Sequence, residues 1–169
     1  MDYALDANVF IEAVRRYYAF AICPGFWQSL VHHHAQGRIF SIDRVKGEMA
    51  GKGDELATWV ADEVLETCFE ASDTAEVTAA YGKVVAWAHA QEQFLPAAKA
   101  EFSEKPDAWL IAYAKATDRV LVTQKIFNQE VKRRVPIPNA CVALDVPYLD
   151  TFEMLKTLGA VYHWTAPDN

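Results

Sequence analysis

Cysteine is scarce and unpaired in this sequence. Cys23, Cys68 and Cys141 are odd in number, far apart and without metal-ligand spacing. The pattern points away from a disulfide framework and from a cysteine-held zinc site, and the thiols read as reduced and mostly buried in a cytoplasmic protein. Positive charge is also short: Lys plus Arg number 16 against 23 Asp plus Glu, a formal net charge of −7. The basic footprint usual for nucleic-acid binders is missing, and the balance suits instead a carboxylate-rich site that works with bound cations. No apolar run approaches membrane-spanning length. The start Met1-Asp2-Tyr3 lacks the charged and apolar regions of a signal peptide. Repeats and low-complexity segments are missing too. What is present is 169 residues, 52% of them hydrophobic, enough for a sizeable core and expected as one domain over 1–169.

These residues are organised around Tyr3-Ala4-Leu5-Asp6-Ala7-Asn8-Val9-Phe10. Tyr3 to Leu5 are strand formers, and Asp6 follows where a short strand ends. Asn8 is a helix-capping residue type, and Val9 to Tyr18 reads as a helix. An acid at the carboxyl end of a parallel strand points into the crevice where open α/β sheets bind ligands. The alternative is a strand-to-helix turn that uses Asp and Asn for local hydrogen bonds. Both readings stand on this stretch alone.

A second helix is expected from Pro24 to the Gly37 stop, with Phe26, Trp27, Leu30 and Val31 at helical spacing. Its His32-His33-His34 run fans around the axis and cannot converge on one ion, so it reads as a polar face. Arg38 to Ile42 is a strand candidate, with Asp43 as the expected cap of the next helix. There Val45 and Met49 face the core, and Glu48 sits at the edge of the apolar stripe. Gly51-Lys52-Gly53 reads as a hinge before an amphipathic helix with Leu56, Trp59, Val60 and Val64 inward. A minimal strand at Cys68-Phe69-Glu70 follows, then a long helix capped by Asp73, then another from Phe94 to Phe102.

Pro106 opens a helix in which Leu110 to Ala114 is apolar on every side, as expected for a buried helix. Asp107 lies in its first turn, where free N–H groups favour an ionised carboxylate; capping alone also explains it. Arg119 to Thr123 is the clearest strand. Gln124 to Val135 is irregular and carries Lys125, Lys132, Arg133 and Arg134. A short helix around Cys141, a strand from Val146 to Leu149, a helix capped by Thr151 and an edge strand from Val161 to Trp164 complete the chain. Strands alternating with helices imply an α/β fold with a parallel sheet.

Three carboxylates thus share related settings: Asp6 at a strand end, Glu48 on a helix edge and Asp107 at a helix start. At these positions the sequence resembles the PIN-domain ribonucleases, the group that includes the VapC-like toxins of prokaryotic toxin–antitoxin pairs. Leu5-Asp6-Ala7-Asn8-Val9 is similar to the family's opening motif, Val45-Lys46-Gly47-Glu48-Met49 to its second-acid helix, and Asp107-Ala108-Trp109-Leu110-Ile111-Ala112-Tyr113-Ala114 to its third. Val120 to Thr123 resembles the strand that follows. Arg16-Tyr17-Tyr18, Pro24-Gly25-Phe26-Trp27, Gly37 to Asp43 and Ile137-Pro138-Asn139-Ala140-Cys141 resemble signatures of a PIN-like branch of prokaryotic proteins, so the likeness spans nearly the whole chain.

The resemblance implies a three-layer fold, with a central parallel sheet of about five strands flanked by helices. It also implies a metal-dependent endoribonuclease that hydrolyses RNA phosphodiester bonds and acts as the toxin of a toxin–antitoxin pair. Asp6, Glu48 and Asp107 would then be the catalytic metal ligands for Mg²⁺ or Mn²⁺, ions that activate water and relieve charge on the leaving oxygen. Asn8 and Thr123 would orient water, metal or phosphate. Lys125, Lys132, Arg133 and Arg134 would meet the RNA backbone, although such a run also reads as a solvated loop. A cognate antitoxin and a homodimer are the expected partners, with no membrane.

The chain departs from the family at one position. Many PIN domains carry a fourth acid two residues after the strand-ending Thr, and here that position is Lys125. Either Glu130 folds back to replace it, or the Lys125 ammonium occupies the subsite, and the second is expected. The main alternative is a degenerate PIN-like domain that binds RNA or a protein without cleaving. An aspartate-nucleophile phosphatase is disfavoured, because its usual second acid falls at Asn8. A purely structural interaction module does not account for the placement of the acids.

Overall fold

The computed structural model describes residues 1–51, 53–61, 63–164 and 166, and it describes no side chains for 63–65. Five short strands form one sheet: β1 (Tyr3–Leu5), β2 (Ile39–Ile42), β3 (Phe69–Glu70), β4 (Val120–Val122) and β5 (Tyr148–Leu149). All neighbours run parallel, in the order β3-β2-β1-β4-β5. The chain therefore winds outward from β1 to β3 and then returns to the other side of β1 for β4 and β5. Right-handed crossovers taken in opposite directions put their helices on opposite faces of the sheet. The result is a three-layer α/β architecture. The two central strands are buried along their whole length, as a sheet covered on both faces requires.

The helices are α1 (Ala7–Glu12), α2 (Pro24–Ala35), α3 (Asp43–Ala50), α4 (Glu55–Val60), α5 (Ala75–Ala90), α6 (Pro96–Glu104), α7 (Pro106–Ala116), α8 (Ile137–Ala143) and α9 (Thr151–Thr157). Of these, α7 is the spine of the core. Leu110, Ile111, Ala112, Tyr113 and Ala114 are all buried, as the all-round apolar run requires. Each large side chain among them contributes about 1.5–3 kcal/mol of burial free energy. The helix packs on β1 and β4 below and on α5 and α8 beside it. Pro106 opens it with a fixed φ and no N–H to satisfy.

Several local expectations change. The helix after β1 does not run unbroken to Tyr18. It passes into a π-helical turn, Ala13–Tyr17, closed by the Tyr18 N–H on the Ala13 carbonyl at 2.9 Å. Asp43 lies inside α3 rather than before it, and its Oδ1 accepts from Ser72 Oγ at 2.6 Å. Thr74, not Asp73, caps α5 through the Val77 N–H. Asp150, not Thr151, caps α9 through the Glu153 N–H, while the Thr151 hydroxyl is buried without a partner among the described residues. Val161 to Trp164 forms no strand. There Tyr162 folds onto α2, its hydroxyl 2.9 Å from Ser29 Oγ and its ring so close to Gly25 that a Cβ would meet it at 3.1 Å. His33 and His34 are half-buried rather than fully solvated, and His34 contacts the Ile39 carbonyl and Thr67 Oγ1. Lys52 and the side chain of Val64 lie outside the described residues. Cys68 and Cys141 are buried free thiols and Cys23 is half-buried. Among the described residues no helix is long and apolar enough to cross a membrane.

Candidate functional site

Sheet order reverses between β1 and β4, and open α/β sheets bind ligands beyond the carboxyl ends of strands at such a switch point. Asp6 follows β1 directly and Thr123 follows β4 directly. Asp6 is 2% exposed and at its register the backbone still belongs to the sheet, its N–H bonding the Val122 carbonyl at 3.0 Å. Its Oδ2 accepts from Thr123 Oγ1 at 2.7 Å and from Asn8 Nδ2 at 3.3 Å. Asn8 is therefore a clamp on the carboxylate rather than a helix cap. The Thr123 hydroxyl accepts in turn from the Lys125 N–H at 3.1 Å, which turns the chain back over the strand ends.

That turn sends the Lys125 side chain into the crevice. Its Nζ lies 2.7 Å from Asp107 Oδ2 and 3.6 Å from Asp6 Oδ2. One ammonium thus joins the acid of the first strand to the acid of the α7 first turn, and the two oxygens lie no further apart than those distances combined. Glu48 reaches the same crevice from α3, whose buried Val45 and Met49 orient it, and stands exposed at the rim.

The charges feel one another. Although Glu48 is exposed by surface area, partial desolvation of its carboxyl by the crevice pushes it above its usual range, and the negative charges of Asp107 and Asp6 push it further against the opposing pull of Lys125. Burial likewise raises Asp107; Lys125 opposes this and Asp6 adds to it. Burial alone would lower Lys125, but Asp6, Asp107 and Glu48 outweigh it and hold the ammonium charged above its ordinary value. Lysine and aspartate move in the same direction for different reasons. For the lysine the three carboxylates outweigh burial; for the aspartate burial is the main cause and the Asp6 charge adds to it.

The crevice opens into a cleft of about 730 Å³ whose walls include Asn8, Glu48, Asp107 and Lys125. Sequence reasoning did not anticipate the far wall of this cleft. Glu12, Arg16, Tyr17 and Tyr18 come from the end of the first helical segment, Glu101 and Lys105 from the α6–α7 junction, and Phe152 from α9. Arg16 pairs with Glu12 at 2.5 Å, and Lys105 pairs with Glu101. The only advance signal for this wall was Arg16-Tyr17-Tyr18, noted for its likeness and not for any chemistry.

The basic segment is irregular, as expected, but it is pinned. Asn139 is buried and clasps it, accepting from the Asn128 N–H at 3.1 Å and donating to the Asn128 carbonyl at 2.7 Å. Gln93 Nε2 donates to the carbonyls of Gln129 and Val131, and the Leu95 N–H bonds the Lys132 carbonyl. This framework brings Arg134 into the cleft wall. Lys132 and Arg133 are exposed and do not line the cleft, so only Lys125 and Arg134 of the four basic residues reach it. Glu130 is exposed, lies outside the cleft and does not fold back.

The donor chemistry is all oxygen, from the carboxylates of Asp6, Glu48 and Asp107 and the hydroxyl of Thr123, which suits a hard divalent cation. Among the described residues, however, no three acidic, His or Cys side chains are gathered closely enough to hold an ion as they stand. The place between Asp6 and Asp107 is filled by an ammonium, a cation the chain supplies itself.

Fold and crevice define an α/β protein with an acidic, lysine-bridged site at its switch point. The chain belongs to the family described as a domain of unknown function (DUF4411), whose model matches residues 3–162. No curated protein matches it. Among solved structures it is similar to the 2.2 Å structure of VapBC-1 from nontypeable Haemophilus influenzae, with 16% identity over 89% of this chain and 98% of that one and a TM-score of 0.48.

Proposed function

We propose that this protein is a PIN-type endoribonuclease that uses Mg²⁺ or Mn²⁺ to hydrolyse RNA phosphodiester bonds. The observation that carries the reading is the meeting of Asp6 and Asp107 on one cation at the switch point, with Glu48 electrostatically coupled to both. Carboxylates drawn from a strand end and two helices cost folding energy unless a cation is shared among them. A bound Mg²⁺ or Mn²⁺ at Asp6, Asp107 and Glu48 would supply an activated water and charge relief for the leaving oxygen.

The chain's own groups do the rest. Thr123 and Asn8 fix the Asp6 carboxylate and leave its Oδ1 without a hydrogen bond among the described residues. Lys125 places a positive charge against Asp107, where a phosphate oxygen would meet it, and a preformed charge of this kind favours a transition state richer in negative charge. Arg134 offers a second cation to the RNA backbone. In this reading Lys125 takes the place of the fourth acid, and the site works with fewer carboxylates than many of its relatives.

A second reading has its own support in the same ion pair. If Lys125 keeps its place permanently, the protein binds RNA or a protein partner without cleaving. The deciding experiment is incubation of wild type and Asp6→Asn with a mixed RNA pool, with Mn²⁺ and with excess chelator. Cleavage by wild type in Mn²⁺ alone supports the enzyme, while RNA binding without cleavage supports the second reading.

The resemblance further supports a toxin restrained by a cognate antitoxin and assembled as a homodimer. Co-expression with the neighbouring reading frame should give a stable complex and relieve growth inhibition. Harmless expression alone, with nothing co-purifying, removes that part of the reading.

A further inference from the structure

Two aromatic rings stand exposed at the mouth of the cleft. Tyr17 is 66% exposed and Phe152 48% exposed, and both line the same cleft as Asp107 and Lys125. Their ring centroids are 6.1 Å apart at an interplanar angle of 68°. Leaving two large rings in water forgoes the burial that most such side chains obtain.

They are also held in place. Phe152 rests against Tyr18 at 6.4 Å, and Tyr18 stacks on Phe26 at 4.4 Å with planes 2° apart. Phe26 is fully buried, and Trp27 fixes the backbone at Tyr18 by donating its indole N–H to that carbonyl at 2.7 Å. The π-helical turn at Ala13–Tyr17 is what brings three successive residues, Arg16, Tyr17 and Tyr18, to one wall. On an uninterrupted α-helix three neighbours fan around the axis and cannot share a wall. Such turns recur at functional sites.

We infer that Tyr17 and Phe152 form a stacking subsite for an unpaired nucleobase adjoining the scissile phosphate. The inference rests on the proposed phosphodiester chemistry, because the phosphate that meets Asp107 and Lys125 fixes where its neighbours go. A cleft of about 730 Å³ has room for a short piece of one strand, in the size range that enclosing pockets take. A nucleotide in that space shares its walls with the two rings and with Arg134. Aromatic faces beside cations are the usual means of holding single strands without reading sequence. Bases held in a duplex have no free faces to offer, so the subsite selects unpaired segments.

The test is binding and spectroscopic, not catalytic. Wild type, Tyr17→Ala, Phe152→Ala and Tyr17→Trp are titrated in excess chelator, so that no cleavage occurs, against a short single-stranded RNA carrying 2-aminopurine. An abasic RNA of the same length and a blunt duplex serve as comparisons. The expected result is fluorescence quenching on binding to wild type and Tyr17→Trp. Each alanine variant should lose quenching and bind about tenfold more weakly, with duplex and abasic affinities unchanged by either substitution. Circular dichroism confirms the folding of these surface variants. Equal binding of the abasic RNA, or alanine variants that quench like wild type, overturns the subsite while leaving the cleavage chemistry to stand or fall on Asp6→Asn. No RNA binding by wild type overturns the subsite, and the cleavage chemistry is still decided by Asp6→Asn in Mn²⁺. Loss of a protein partner in the alanine variants, with RNA binding intact, assigns the rings to that partner and overturns the inference.

Discussion

Lys125 reaches back across the crevice to Asp107, its Nζ 2.7 Å from Oδ2 and the same ammonium 3.6 Å from the Oδ2 of Asp6. The pair is shielded: the lysine side chain is 29% exposed and the aspartate 16%. An acid site that carries its own counter-ion can fold without metal, and that property separates Lys125 from its neighbours.

Replacing Lys125 with Met keeps the stem and removes the charge, so Asp6 and Asp107 face each other with no cation. In chelator at pH 7 the variant should lose about 3 kcal/mol of unfolding free energy by urea titration. The folded lysine titrates above its ordinary value, so its contribution is fully present below about pH 10.4 and fades as pH rises through the folded value. The difference from wild type should therefore persist through neutral pH and shrink only in strong alkali, and Mn²⁺ should narrow it. Equal stability of the two proteins in chelator would show that the ion pair contributes nothing.

Glu48 gives the opposite pH signature. Its folded carboxyl is raised above the usual range, so the native state binds the proton more tightly than the unfolded chain. Its ionisation then penalises folding above the raised value, and the penalty vanishes below about pH 4, where both states are protonated. Without metal, Glu48→Gln should be more stable than wild type at pH 7 and indistinguishable at pH 3.5. Thermal melts at the two pH values check this. A variant less stable at pH 7 would mean that Glu48 makes a favourable contact there. Its rim position limits the size of the effect through solvent screening, so the sign is the measurement.

Thr123→Val removes the hydroxyl that donates to Asp6 Oδ2 and accepts from the Lys125 N–H. Both Thr123 and Asp6 are 2% exposed, so water cannot easily substitute. The expected cost is about 2 kcal/mol, in the range for a hydrogen bond to a charged group. Urea unfolding with a change under 0.5 kcal/mol would contradict the role.

The basic segment divides cleanly. Arg134→Ala should weaken RNA binding and reduce the salt dependence by about one released counter-ion. The double variant Lys132→Ala with Arg133→Ala should leave the slope nearly unchanged, because neither side chain lines the cleft. Glu130→Gln should change cleavage less than about twofold, a difference too small to signal a lost metal ligand. Loss of activity in Glu130→Gln would return the fourth-acid role to that residue.

Much of this architecture was legible in the chain. Alternating apolar strands and helices gave the parallel sheet, and the all-round apolar run from Leu110 to Ala114 gave the buried helix. Asp6 and Asp107 were legible because a strand end and a proline-led helix start are places where backbone direction fixes a side chain. The cleft's far wall was not. Tyr17 and Phe152 are distant in sequence, and the π-helical turn that aims Arg16, Tyr17 and Tyr18 together leaves no trace in hydrophobic spacing. At the start of α9 the expected cap is Thr151, and the neighbouring Asp150 takes that role. Burial decides between them, since Thr151 enters the core at 1% exposure and an ionised aspartate there would be costly. Nor did sequence separate Arg134 from Lys132 and Arg133. Their difference comes from Asn139 and Gln93, which clasp the segment from elsewhere.

Cation-dependent phosphodiester cleavage built on Asp6 and Asp107 is decided by single-turnover cleavage of one end-labelled RNA by wild type and Asp107→Asn. The amide keeps the volume of the side chain and removes its charge. Wild type should cleave in Mn²⁺ and not in excess chelator, and Asp107→Asn should be slower by at least about a hundredfold, the usual scale for losing a group that stabilises developing charge, while melting as a folded protein. Cleavage by folded Asp107→Asn at the wild-type rate, or by wild type in chelator, would contradict it.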